Sequence, residues 1–133
     1  MVRYIDKIAL MYFKDGKVLM TQKRGRSVFY NPGGKPDEGE TDEQALIREI
    51  KEELSVDIIP ETIKLYGRFQ AHADAEPDDV MVRMTLYSAE FIGTLKSGRE
   101  EKEFAYLGYS DLDKISAIGL LIFADAHEKG LLK

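Results

Sequence analysis

Residues 33–56 read GGKPDEGETDEQALIREIKEELSV, and the rest of the chain is best read outward from this stretch. A run of chain breakers, Asn31, Pro32, Gly33, Gly34, Pro36 and Gly39, suits neither a strand nor a helix. A helix begins behind it. Thr41 is a good N-cap, Gln44 three residues on completes a capping box, and Asp42 and Glu43 suit the positive end of the helix dipole. At about 100° per residue, Ile47, Ile50 and Leu54 fall on one face, and Glu49, Glu52 and Glu53 fall on another.

Three carboxylates spaced i, i+3 and i+4 repel one another, so something should neutralise them. Arg48 can bridge to Glu52 at i+4, but it carries a single positive charge. A hard divalent cation is a more complete partner, because magnesium takes carboxylate oxygens and water. A solvated charged face would show the same cluster, and the preceding loop decides between the two readings. Gly34, Glu40, Arg48, Glu49, Ile50, Glu52, Glu53 and Val56 follow G-x5-E-x7-R-E-U-x-E-E-x-G-U, with U a bulky aliphatic residue. This pattern resembles the Nudix box, and Ser55 stands where that family has glycine. The position lies just past the helix, where a left-handed backbone is common, so serine there implies about 1 kcal/mol of local strain and no loss of chemistry.

The resemblance implies an α/β/α sandwich of the Nudix type: a mixed β-sheet with the loop-helix on one side and a C-terminal helix. It also implies divalent-metal-dependent hydrolysis of a diphosphate bond in a nucleotide, with Mg2+, or Mn2+ in its place, as cofactor. Carried onto this chain, Glu49, Glu52 and Glu53 hold the metal together with the Gly33 carbonyl. Arg48 orients Glu49 and Glu53, Glu40 is structural or outer-shell, Lys35 approaches phosphate, and Arg24 reaches the phosphates or sugar. The segment from Glu100 to Leu107 resembles a second family pattern, E-x-x-E-U-x-W-U, with Tyr106 in the tryptophan position. It implies that Glu100, with Glu103 next, completes the metal site or acts as base. The base stays open among Glu53, Glu49 and Glu100.

The minimal length points first to sanitising of oxidised nucleoside triphosphates, the mutator-type activity. Enzymes of that type tend to carry an asparagine or aspartate near the start of the final helix, where this chain has Ile118, Gly119 and Leu120. ADP-ribose or another nucleotide sugar therefore stays open, as does a general nucleoside triphosphatase. A silent nucleotide-binding sensor is the alternative of a different class.

At 133 residues the expectation is a single domain, residues 1–133, with a sizeable core. The chain has no cysteine, which removes disulfides, thiolate metal sites and cysteine nucleophiles and fits a reducing, cytoplasmic setting. Arg3, Asp6 and Lys7 interrupt the N-terminus, so no signal peptide is read there, and no apolar run is long enough to span a membrane. A net charge of −5 argues against a nucleic-acid polymer as partner. A monomer or homodimer acting on a small nucleotide is the expected state.

In chain order, the apolar run Ile8–Phe13 and the run Val18–Met20 flank Asp15-Gly16, which reads as a β-hairpin covered on both faces. Gln22 to Arg26 form a basic loop. Strand segments are expected over Asp57–Ile59 and Lys64–Gln70, broken at Pro60, followed by a polar loop over Ala71–Asp79. Val80–Ile92 is the cleanest strand: Val80, Val82, Met84 and Leu86 share one face, and Met81, Arg83, Thr85 and Tyr87 the other. Arg83 and Tyr87 read as a solvent-facing pair, with substrate contact the lesser alternative, and His72 reads as a surface residue. A helix start is expected at Ser110, Asp111 and Asp113, then an apolar helix from Ala117 to Lys129 ending at Gly130, with His127 on its last turn.

Overall fold

The computed structural model describes residues 1–73 and 76–133. The strands are β1 (Arg3–Leu10), β2 (Phe13–Lys14), β3 (Lys17–Lys23), β4 (Gly33–Gly34), β5 (Asp57–Ile58), β6 (Lys64–His72), β7 (Val80–Ser88), β8 (Phe91–Ile92) and β9 (Glu101–Leu107). The helices are α1 (Asp42–Leu54) and α2 (Ala117–Glu128), with 3-10 turns at Pro60–Thr62 and Tyr109–Lys114. One sheet has the order β4-β1-β7-β6, a second β2-β3-β9, and a short third β5-β8.

The alternation of side chains in β1 and β3 produces three layers. Ile8, Leu10 and Leu19 pack with Ala45, Leu46, Ile50 and Leu54 of α1, while Ala9, Met11, Val18 and Met20 pack with Ile118, Ile122, Phe123 and Ala126 of α2. Successive strand residues point to opposite faces, so strands that are apolar at every position need a helix on each side. The expected mixed α/β sandwich is the observed one.

Two pairings differ from the sequence reading. Asp15 and Gly16 do turn a hairpin, with φ of 55° and 76°, as a primed two-residue turn requires. Only Phe13 and Lys14 pair across it, however. Ile8 to Leu10 belong to β1, which runs parallel to β7 in the other sheet, Arg3 opposite Val80 through Leu10 opposite Tyr87. Periodicity identifies a strand but not its partner, and a parallel pairing leaves no turn in the sequence to betray it. Likewise Val80–Ile92 is two strands: β7 ends at Ser88 and β8 pairs with β5. The apolar face predicted for β7 is buried, and Arg83 faces solvent in a bidentate pair with Asp6 at 2.7 and 3.0 Å. The expected helix start at Ser110 is a separate 3-10 turn, and α2 starts from Ser116, whose hydroxyl accepts from Gly119 N.

Candidate active site

The local signals of α1 are realised. Thr41 Oγ1 accepts from Gln44 N at 3.1 Å, and Gln44 Oε1 accepts from Thr41 N at 3.0 Å, closing the capping box. At the other end Ser55 is left-handed, φ 63° and ψ 22°. The segment after β8 folds back over this end, Lys96 N donating to Leu54 O at 2.9 Å and Gly98 N to Glu53 O at 2.8 Å. Those carbonyls have no partner inside the helix, so the loop both caps α1 and fixes where β9 begins.

Arg48 is the hub of the glycine-rich loop. Its Nε and Nη2 donate to the two oxygens of Glu40 at 2.7 and 2.9 Å, Nη2 donates to Lys35 O at 3.2 Å, and Nη1 donates to Glu49 at 2.9 Å. Glu52 lies 3.5 Å from Nη1. The fork holds Arg48 above its ordinary range, the Glu40 bonds first, and holds the Glu40 carboxyl down at about 2. Glu40 also accepts from Asp37 N at 2.8 Å. Its geometry is that of a loop brace, and no bond joins Arg48 to Glu53.

Glu53 is oriented from the loop instead, accepting from Gly33 N at 3.1 Å. It is 4 % exposed. Burial pushes its carboxyl up to about 9, with Glu101 and Glu49 adding to the effect and Lys23 opposing it. Gly34 is tight against the neighbouring carboxylate: a Cβ there would lie 2.6 Å from the Glu49 carboxyl carbon. A side chain at this position would push the far end of Glu49 out of its place.

Beyond the helix, the third acidic wall is Glu101. It is 3 % exposed, and burial raises its carboxyl, Lys23 opposing and Glu100 and Glu49 adding. Glu100 is exposed and offers its backbone carbonyl to Arg24 N, and Glu103 is exposed opposite Gln22. A register shift between Gln22 and Lys23 brings Glu101 opposite Lys23, where unbroken pairing would have set Lys102 there. Like charges directly opposite are unfavourable, and the bulge exchanges that pair for an opposite-charge one. Sequence reading passed over Glu101 because spacing alone cannot reveal a bulge.

Arg24 is exposed, and its Nε donates to Arg99 O at 3.2 Å. The cations that line the adjoining cleft are Lys7, Lys23 and Arg26, with Gly33, Asn31, Tyr30 and the acidic Glu76 beside them and Ile5, Val82, Met84 and Ile118 behind. Exposed Lys35 adds to the field that acts on Lys7. His72 sits away from the cleft, its Nε2 3.0 Å from Pro77 O.

The residues fit a divalent cation. Glu53 Oε1 and Glu101 Oε2 are buried without a hydrogen-bond partner, and buried carboxylates need a counter-charge. Among the described residues no three acidic or histidine side chains are already gathered at ligand distance. Arg48 draws Glu49 and Glu52 to itself instead.

A carboxylate-lined helix, a glycine segment laid against it and a cleft lined by three cations lie side by side. The NUDIX domain model matches residues 6–127, and the chain belongs to that family, in which divalent-metal dependence is general. It is 31 % identical over 106 residues to an ADP-ribose pyrophosphatase of Methanocaldococcus jannaschii, covering 77 % of this chain and 61 % of that protein. It is 44 % identical over 102 residues to an 8-oxo-dGTP diphosphatase of Haemophilus influenzae, covering 74 % and 71 %. The structure of the MutT protein from Methanosarcina mazei Go1 superposes with a TM-score of 0.77 at 16 % identity, covering 97 % of this chain and 96 % of that one; it supports the fold alone.

Proposed function

We propose that this protein hydrolyses a diphosphate bond in a small nucleotide, a nucleoside triphosphate or a related nucleoside diphosphate derivative, with Mg2+, or Mn2+, as cofactor. One observation carries the reading: Glu53 and Glu101, 4 % and 3 % exposed, each keep a carboxylate oxygen without a partner beside Glu49. A cation joining them would hold both carboxylates ionised without that burial cost, which in its absence Glu53 meets by a raised carboxyl.

Glu49, Glu52, Glu53 and the Gly33 carbonyl would hold the metal, and Glu101 takes the place expected of Glu100. The bound ion would screen the diphosphate and lower the pKa of coordinated water. Arg48 acts on the substrate only through others, bracing Glu40 and the Lys35 carbonyl so that the loop keeps its position over Glu49. Gly33 N orients Glu53. The proton released by the attacking water goes to a carboxylate of this cluster, and Glu53, held in place by that bond, is our choice. Lys23 and Arg26 face the substrate phosphates from the cleft. The relatives named for ADP-ribose and for 8-oxo-dGTP differ in substrate, and both compounds carry the diphosphate that this chemistry needs. A cytoplasmic monomer or homodimer without a nucleic-acid partner completes the proposal; among the described residues no helix is long and apolar enough to cross a membrane.

The test is release of phosphate or pyrophosphate from a nucleotide panel with and without magnesium. Glu53→Gln should lower kcat by about a hundredfold or more, the scale of losing a general base, with circular dichroism unchanged. Turnover equal to wild type on every nucleotide would refute the mechanism. Glu101→Gln should fall with it, whereas Glu100→Gln should stay near wild type.

A further inference from the structure

Residues that alternate with Ile8 and Leu10 along β1 and just past its end form the α2-side face: Ile5, Lys7, Ala9 and Met11. Ala9 and Met11 are fully buried in the core, and Ile5 packs against it. Lys7 breaks that apolar series. It lies opposite Met84 in the parallel register and is half-buried in the cleft with Ile5, Val82 and Met84. Burial and the charges of Lys23, Lys35 and Arg26 all act against its ammonium, and Glu53 alone among the resolved influences favours it.

Among the described residues, no side-chain hydrogen bond or ion pair holds Lys7, Lys23, Arg26 or Lys35. The chain as a whole is acidic, with a net charge of −5, yet it gathers unpaired cations here. Asn31, 5 % exposed on the same wall, keeps its Oδ1 without a partner while Nδ2 reaches only Met11 Sδ at 3.6 Å. An apolar residue at position 7 would suit folding better; an ammonium there suits an anion.

We propose that Lys7 is a specificity-determining residue which reads the terminal phosphate of a nucleoside triphosphate, so that this cleft selects triphosphates over diphosphates capped on both sides. The inference rests on the proposed nucleotide hydrolysis and narrows its substrate class. A terminal phosphate brings about −1.5 to −2 charge at pH 7 and three strong acceptor oxygens. ADP-ribose carries its diphosphate between two sugars and has no such group. The three cations that line the cleft, against the single carboxylate of Glu76, therefore gain more from a triphosphate, while the apolar wall of Ile5, Val82, Met84 and Ile118 accepts either nucleoside.

Calorimetric titration of dGTP, CTP and ADP-ribose in EDTA separates recognition from hydrolysis. Wild type should bind the two triphosphates more tightly than ADP-ribose, and the preference should shrink as salt is raised. Lys7→Met, which restores the apolar series, should lose about ten- to hundredfold in triphosphate affinity, leave ADP-ribose within about twofold and melt at a higher temperature than wild type. Lys7→Arg should keep the preference. With magnesium Lys7→Met should raise KM for triphosphates more than it lowers kcat. Equal affinities in wild type, no measurable triphosphate binding in EDTA, or an equal loss for all three ligands in Lys7→Met would overturn the proposal. A protein that discriminates in EDTA yet hydrolyses nothing with magnesium would refute the hydrolytic reading and leave this one standing.

Discussion

Ser55 is where the family pattern and this chain part, and its backbone shows what the change costs. With φ at 63° and its N–H bonded to Lys51 O, the residue occupies the left-handed cap that glycine adopts freely. Ser55→Gly should raise stability in urea unfolding by a few tenths to about 1 kcal/mol and leave kcat unchanged. At Glu40 the effect is electrostatic. Its bonds to Arg48 hold the carboxyl at about 2, below the ordinary 4.5. A depressed carboxyl stabilises the fold above its unfolded pKa and loses that contribution as pH falls through the folded one. Stability measured from pH 5 to pH 2 should therefore drop in wild type and drop less steeply in Glu40→Gln.

At the scale of elements, α1 is positioned from both ends. Near its N-terminus the Tyr87 hydroxyl of β7 donates to Asp42 at 2.7 Å, and burial with that bond pushes the phenol up to about 12. The neutral phenol is the form the fold favours, so its contribution is complete below the unfolded pKa of about 10 and disappears as pH rises through 12. Tyr87→Phe should flatten the alkaline loss of stability. At the C-terminus the loop before β9 crosses the helix so closely that a Cβ on Gly98 would lie 2.1 Å from Glu52 O. Gly98→Ala forces the loop away, with an expected loss of about 1–3 kcal/mol in denaturant unfolding. Because Glu52, Glu53 and Glu101 all sit beside that crossing, magnesium-dependent turnover should fall as well.

The whole molecule places an acidic helix on one side of the sandwich and a cationic cleft on the α2 side, with the Gly33–Gly34 loop between them. Two buried carboxyl groups, each with an oxygen that lacks a hydrogen-bond partner, make the metal-free fold less stable than it could be. A cation that binds the native state alone stabilises it by about 2.7 kcal/mol at a hundred times its dissociation constant. Melting temperature should rise on addition of millimolar magnesium or manganese in wild type. In the Glu52→Gln, Glu53→Gln double variant the rise should vanish, while the metal-free melting temperature holds or increases because a buried uncompensated carboxyl has been removed. An equal rise in both proteins would place the ion elsewhere.

What the sequence determined alone is what local chemistry determines. The capping box of Thr41 and Gln44, the carboxylate face of α1, the left-handed Ser55 and the buried alternation of Val80, Val82, Met84 and Leu86 each depend on residues within one turn or one strand. The breaker run from Asn31 to Gly39 did not exclude a strand, since Gly33 and Gly34 form β4 against Ile8 and Ala9. The two-sided covering of β1 and β3 followed from the same alternation. Tertiary structure decided everything that depends on register between distant strands. The parallel pairing of β1 with β7 has no turn to announce it. The bulge at Lys23 sets Glu101, rather than Glu100 or Glu103, against Glu53. Arg24 was turned toward Arg99, and Lys23 and Arg26 line the cleft instead. Lys7 was read in the sequence only as one of the charges that interrupt the N-terminus, and packing beside Val82 and Met84 places it within a cleft. Burial decides whether a charge is surface or site, and burial is a property of the assembled layers.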